Sequence, residues 1–153
     1  MNTTNRRNAT HTSFLVHVTY DLSLAALIAQ QRMGNRERER VIENLRDHEN
    51  ALETMGGRSL KIELLHPTND MELKSVLHNI DRRGRPATFR EVMTLCSSYP
   101  DLRQSVCVIR RPYLNRCSVA LAYWFDGAWR MACFALGRTW LTSYSAGFAY
   151  VRT

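Results

Sequence analysis

The sequence predicts an α+β fold: a mostly antiparallel sheet with a C-terminal β-meander and about four helices packed on one face. Three observations predict it. Strict alternation of apolar and polar residues marks strands at residues 14–20 and 59–65; apolar stripes at intervals of three and four mark helices between and after them. From residue 105 onward, short apolar runs separated by turn residues replace the helical pattern. Helices with one apolar stripe and strands that need covering are solved together by packing one layer on the other.

Taken in order, "MNTTNRRNATHTS" carries no periodic apolar pattern and reads as a disordered tail over residues 1–12, followed by a single domain over 13–153. In "FLVHVTY", Phe14, Val16, Val18 and Tyr20 fall on one side and Leu15, His17 and Thr19 on the other, which defines a strand. Asp21 is placed to cap a helix through "LSLAALIAQQRM", closed by Gly34, and "RERERVIENLRDHENALETM" predicts a second helix ended by Gly56 and Gly57. Its charges pair at i, i+3, as in Arg36 with Glu39 and Arg40 with Glu43, which describes a solvated face.

"SLKIELL" predicts the second strand. Asn69 with Glu72 three residues later suggests a capping-box variant for a third helix through Leu73, Val76, Leu77 and Ile80 to Gly84. Thr88 with Glu91 is the standard capping box and starts a fourth helix, stopped by "SSYPD". The runs "SVCVI", "CSVALAYWF", "AWRMACFAL" and "GFAYV" then predict the meander. Asp126-Gly127 is its clearest hairpin signal, because both residues tolerate the positive φ of a type I′ turn.

Composition narrows the function classes. No stretch approaches the ~20 apolar residues that cross a bilayer, and no signal-like cleavage site follows the N-terminal arginines, so the expectation is a cytoplasmic protein without membrane contact. Cys96, Cys107, Cys117 and Cys133 are irregularly spaced within or beside apolar runs and read as reduced, buried thiols. No metal-ligand spacing and no glycine-rich phosphate loop occurs, so neither a metal nor another cofactor is expected.

The formal net charge is +7, with Lys61 and Lys74 the only lysines. An arginine-rich surface suits phosphate and carboxylate, since the planar guanidinium donates in pairs. The predicted contact residues are Arg82, Arg83, Arg85, Arg90, Arg103, Arg110, Arg111 and Arg116, with Tyr99, Tyr113, Tyr123, Trp124 and Trp129 interleaved. Such a surface fits nucleic acid, with bases stacked on rings, or an acidic protein surface. The expectation is a small basic binding protein acting on nucleic acid or docking onto a nucleoprotein machine, in the manner of an inhibitor or regulator from a mobile element. For Trp124 and Trp129, which flank the hairpin turn, cross-strand packing is the competing structural role.

A second reading rests on His17 with Thr19 and His66 with Thr68. Residues two apart on a strand share a face, so each pair would project together, and two such pairs could meet one phosphate. The arrangement resembles the two-histidine phosphoesterase superfamily, small α+β proteins acting on RNA ends or cyclic phosphodiesters. That resemblance implies one histidine as general base, the other as general acid, threonines on phosphate oxygens, and no metal. A structural account of the second pair exists as well: Pro67 ends a strand, and Thr68 or Asn69 begins a helix. A third match to the pattern is His11 with Ser13.

Overall fold

The computed structural model describes residues 9–21, 56–67, 71–113, 116–137 and 146–153. Within them the chain forms β1 (Ala9–Thr19), β2 (Gly57–Pro67), α1 (Leu73–Arg83), β3 (Gly84–Pro86), α2 (Phe89–Ser98), β4 (Val106–Tyr113), β5 (Arg116–Phe125), β6 (Ala128–Gly137) and β7 (Gly147–Arg152). One seven-stranded mixed sheet has the order β1-β2-β7-β4-β5-β6, with β3 paired to β7.

Three parts of the expected fold are corrected. The protein is mainly sheet, and the described residues hold two helices where about four were expected. The two expected between residues 22 and 55 lie outside the described residues. Nor do the helices share a face. Leu73, Val76, Leu77 and Ile80 of α1 pack with Leu65, Cys107, Ile109, Val119, Phe148 and Tyr150. Phe89, Val92, Met93, Leu95 and Cys96 of α2 pack with Val16, Val18, Ile62, Leu64, Val106, Ala149 and Val151. Alternation along each strand explains the split: β4 and β7 are apolar on both faces, so each face needs its own cover.

The third correction concerns "GFAYV". It does not extend the meander, which is β4-β5-β6; it returns as β7 to the middle of the sheet, antiparallel to β2 and parallel to β4. All five residues from Gly147 to Val151 are buried. A strand with no polar side can only sit where both faces and both edges are covered.

Locally, several expectations hold. Phe14, Val16 and Val18 face the α2 core while Leu15, His17 and Thr19 are exposed. The strand nevertheless opens at Ala9, so residues 9–12, assigned by sequence to the tail, pair with Leu64–Pro67. Thr88 Oγ1 accepts from Glu91 N while Glu91 Oε1 accepts from Thr88 N at 2.7 Å, completing the capping box of α2. α1 starts at Leu73 with Glu72 as its uncapped boundary residue. The Glu72 carboxylate pairs with Lys74 at 2.9 Å instead. Asp126 and Gly127 take φ of 50° and 76° between Phe125 and its partner Ala128, as a type I′ hairpin requires.

Candidate functional site

The two sequence-predicted histidine pairs do not come together. On β1–β2 the register places His17 opposite Ser59 and His66 opposite Thr10. Ser59 and His66 are seven positions apart on β2, roughly 23 Å along a strand. An odd separation also puts them on opposite faces: His17 lies on the α1 side, and His66 on the α2 side with Leu64. Each ring instead lies over a glycine. A Cβ on Gly57 would sit 2.7 Å from His17 Nε2, and one on Gly147 would sit 2.8 Å from His66 Cε1. His17 Nδ1 is also 3.3 Å from Ser59 Oγ, and burial lowers the His66 pKa. Thr19 is exposed beside His17, while Thr68 lies outside the described residues.

The arginines named from sequence are divided as well. Arg85 forks onto Glu91, Nη1 to Oε1 at 2.8 Å and Nη2 to Oε2 at 2.7 Å. Glu91 is fully buried, and Tyr20 donates to it at 3.0 Å. Burial pushes the Glu91 carboxyl up, but the bonds from Arg85 and Thr88 more than offset that and hold it below its ordinary value. Tyr20 is pushed up to about 12, by burial first and the Glu91 charge second. Arg90 is buried and reaches Thr19 O. These groups fasten α2 to β1 and β3. Arg103 is exposed, 5.0 Å above the Trp124 ring on the α2 side. Arg82 and Arg83 are exposed at the end of α1. The side chains of Arg110, Arg111 and Arg116 lie outside the described residues.

Three of the five aromatic residues named from sequence pack within the fold, and the side chain of Tyr113 lies outside the described residues. Trp129 is buried and meets Trp124 edge-on at 5.6 Å. Tyr99 packs edge-on against Phe14 at 5.0 Å and donates to Leu15 O at 2.8 Å. Cys96 and Cys107 are free and buried, and burial pushes both thiols up to about 12. No group of three or more His, Cys, Asp and Glu side chains among the described residues could hold a metal.

A different cluster assembles on the α1 side, where β1, β2 and β7 adjoin. Its centre is Glu63, 2% exposed. Cross-strand register sets Ser13 and Tyr150 on either side of it. Glu63 Oε2 accepts from Tyr150 in a short hydrogen bond. Its Oε1 accepts from Ser13 Oγ at 3.0 Å and Arg152 Nη1 at 3.0 Å, and lies 3.8 Å from Lys61 Nζ. Burial raises the Glu63 carboxyl, and the bonds from Tyr150, Arg152 and Ser13 overcome it, so Glu63 stays ionised at neutral pH. Burial and the Glu63 charge push the Tyr150 phenol well above its ordinary value.

His11 Nδ1 lies 2.9 Å from the Tyr150 hydroxyl. The single hydroxyl proton of Tyr150 is given to Glu63, so its oxygen accepts and His11 Nδ1 donates. That fixes the imidazole tautomer and leaves Nε2 as the ring's acceptor. Burial, then the nearby Arg83 guanidinium, lowers the His11 pKa, and the ring is neutral at pH 7. Around one buried carboxylate the face thus carries Lys61, Arg83 and Arg152, with exposed Ser13, Leu15 and His17 beside them.

Sequence reasoning named Arg83, and His11 with Ser13 as a third His-x-Ser/Thr match, but did not assemble this cluster. One signal was present: Ser13, Leu15 and His17 share a face of β1, as Lys61 and Glu63 share one of β2. Arg152 and Tyr150 needed the position of β7. Comparison with protein-family models, curated proteins and solved structures finds no match to this chain.

Proposed function

We propose that the protein is a small basic nucleic-acid-binding protein that takes single strands on the open sheet face around Glu63. The observation that supports this reading is the local surplus of cation there. Lys61, Arg83 and Arg152 gather about a single carboxylate, on a face where β1 exposes Ser13, Leu15, His17 and Thr19. The overall charge of +7 draws a polyanion toward it. Arg90 is buried and Arg85 is forked onto Glu91, so the contact set differs from the one composition alone suggested.

The test is the salt dependence of affinity for a labelled single-stranded oligonucleotide. Lys61→Glu and Arg83→Glu should weaken binding and each lower the slope of log K against log salt by about 1. Arg103→Glu, on the opposite face, should leave both unchanged. An equal loss from all three would mean nonspecific attraction. Absence of binding, with retention of an acidic protein that releases in salt, would favour docking onto a protein partner.

A further inference from the structure

We infer that the Glu63 cluster is a pocket for a terminal phosphate, a phosphomonoester at the end of a nucleic-acid strand. The inference rests on the nucleic-acid reading and names the part of the strand that the site recognises.

Convergence is the first argument. A groove that tracks a sugar-phosphate backbone spaces its cations along a path. Here Arg152 Nη1 and Lys61 Nζ lie 3.0 and 3.8 Å from the same oxygen of Glu63, close enough for one phosphate to meet both. Glu63 holds Arg152 through one Nη1 contact, while about half of the Arg152 side chain stays exposed. A carboxylate that grips one end of a guanidinium orients the remaining N–H groups outward, at little further entropic cost to a ligand. Glu63 itself is buried, so it acts as the anchor of the cations and does not face the incoming anion.

The second argument is charge and oxygen count. A phosphodiester carries one negative charge on two non-bridging oxygens, whereas a phosphomonoester, whose second ionisation lies near pH 6, is mostly a dianion at pH 7 with three free oxygens. Arg152 and Lys61, with Arg83 beside Tyr150 on the same face, therefore find more charge and more acceptors at the end of a strand than in its interior.

The experiment compares three labelled single strands of one sequence, carrying a 5′-phosphate, a 3′-phosphate, or hydroxyls at both ends. One phosphorylated strand should bind about ten-fold more tightly than the hydroxyl-ended strand, the gain of one charge-assisted contact pair. Inorganic phosphate should erase that difference. Lys61→Ala, half-exposed and outside the hydrogen bonds of Glu63, should abolish it; Arg152→Ala should do the same, read beside its urea midpoint because it also removes a hydrogen bond from buried Glu63. Lys74→Ala should preserve it. Equal affinity for all three strands overturns the pocket and leaves the nucleic-acid reading standing. A preference that survives both pocket substitutions also overturns it. Failure of every strand to bind removes both readings.

Discussion

At the scale of single residues, two buried carboxylates organise the molecule, one under each face of the sheet. Glu91 takes a guanidinium fork, a backbone N–H and a tyrosine hydroxyl; Glu63 takes a tyrosine, a serine and an arginine. Both are held below the ordinary carboxylate pKa of 4.5. A group depressed in the fold contributes stability above its unfolded pKa and loses it as pH falls through the folded value. Stability from urea unfolding should therefore fall in two limbs as pH drops: a shallow one below about 6.5, where His11 and His66, held below their ordinary pKa by burial, protonate more readily in the unfolded chain, and a steeper one below about 4.5 from the two carboxylates. Glu91→Gln should cost about 3 kcal/mol at pH 7, because it leaves Arg85 without its charge partner, and should flatten the acid limb. A stability curve with no acid limb would mean that neither carboxylate is engaged as described. The capping role of Glu91 was legible in "TFRE", since a capping box is local. Its pairing with Arg85 was not, and this is why Arg85 reads from sequence as a surface cation.

At the scale of elements, the junction of α1 and β3 shows how close approach dictates a residue. Gly84 N donates to Ile80 O and ends the helix, as its position in the sequence suggests. Its φ of 171° is extended, so a left-handed turn is not what selects glycine. Contact selects it: a Cβ there would lie 1.9 Å from the Val151 carbonyl oxygen of the adjoining strand. Backbone cannot yield as a side-chain tip can, so Gly84→Ala should destabilise by about 3 kcal/mol, as severe overpacking does. A near-neutral result in urea unfolding would show that β3 does not hold its pairing with β7. Asp126-Gly127 and Thr88-Glu91 were read correctly because each is settled by neighbours within four residues. Strand β7 was misplaced for the converse reason. Its sequence shows that it is apolar throughout, but its pairing with β2 and β4 joins segments scores of residues apart.

At the scale of the whole molecule, the two faces of the sheet are unequal. The α2 face reaches from β1 through β6, with Phe14, Val16 and Val18 at one end and Trp124 and Trp129 at the other. On the α1 face the described core runs from Leu65 through Phe148, Tyr150, Cys107 and Ile109 to Val119, and over β1 Ser13, Leu15, His17 and Thr19 are exposed. β1 therefore provides its own control, since adjacent residues sample the two environments. Leu15 is 70% exposed, and Val16 is 1% exposed. Val16→Ala should cost about 2 kcal/mol, the loss of buried methyl groups plus the cavity they leave. Leu15→Ser, the more drastic change in chemistry, should stay within about 0.5 kcal/mol. The contrast is read from paired urea midpoints at one pH. Equal costs would mean that another part of the chain covers Leu15 in solution, and the face proposed to take the strand would then be closed to it.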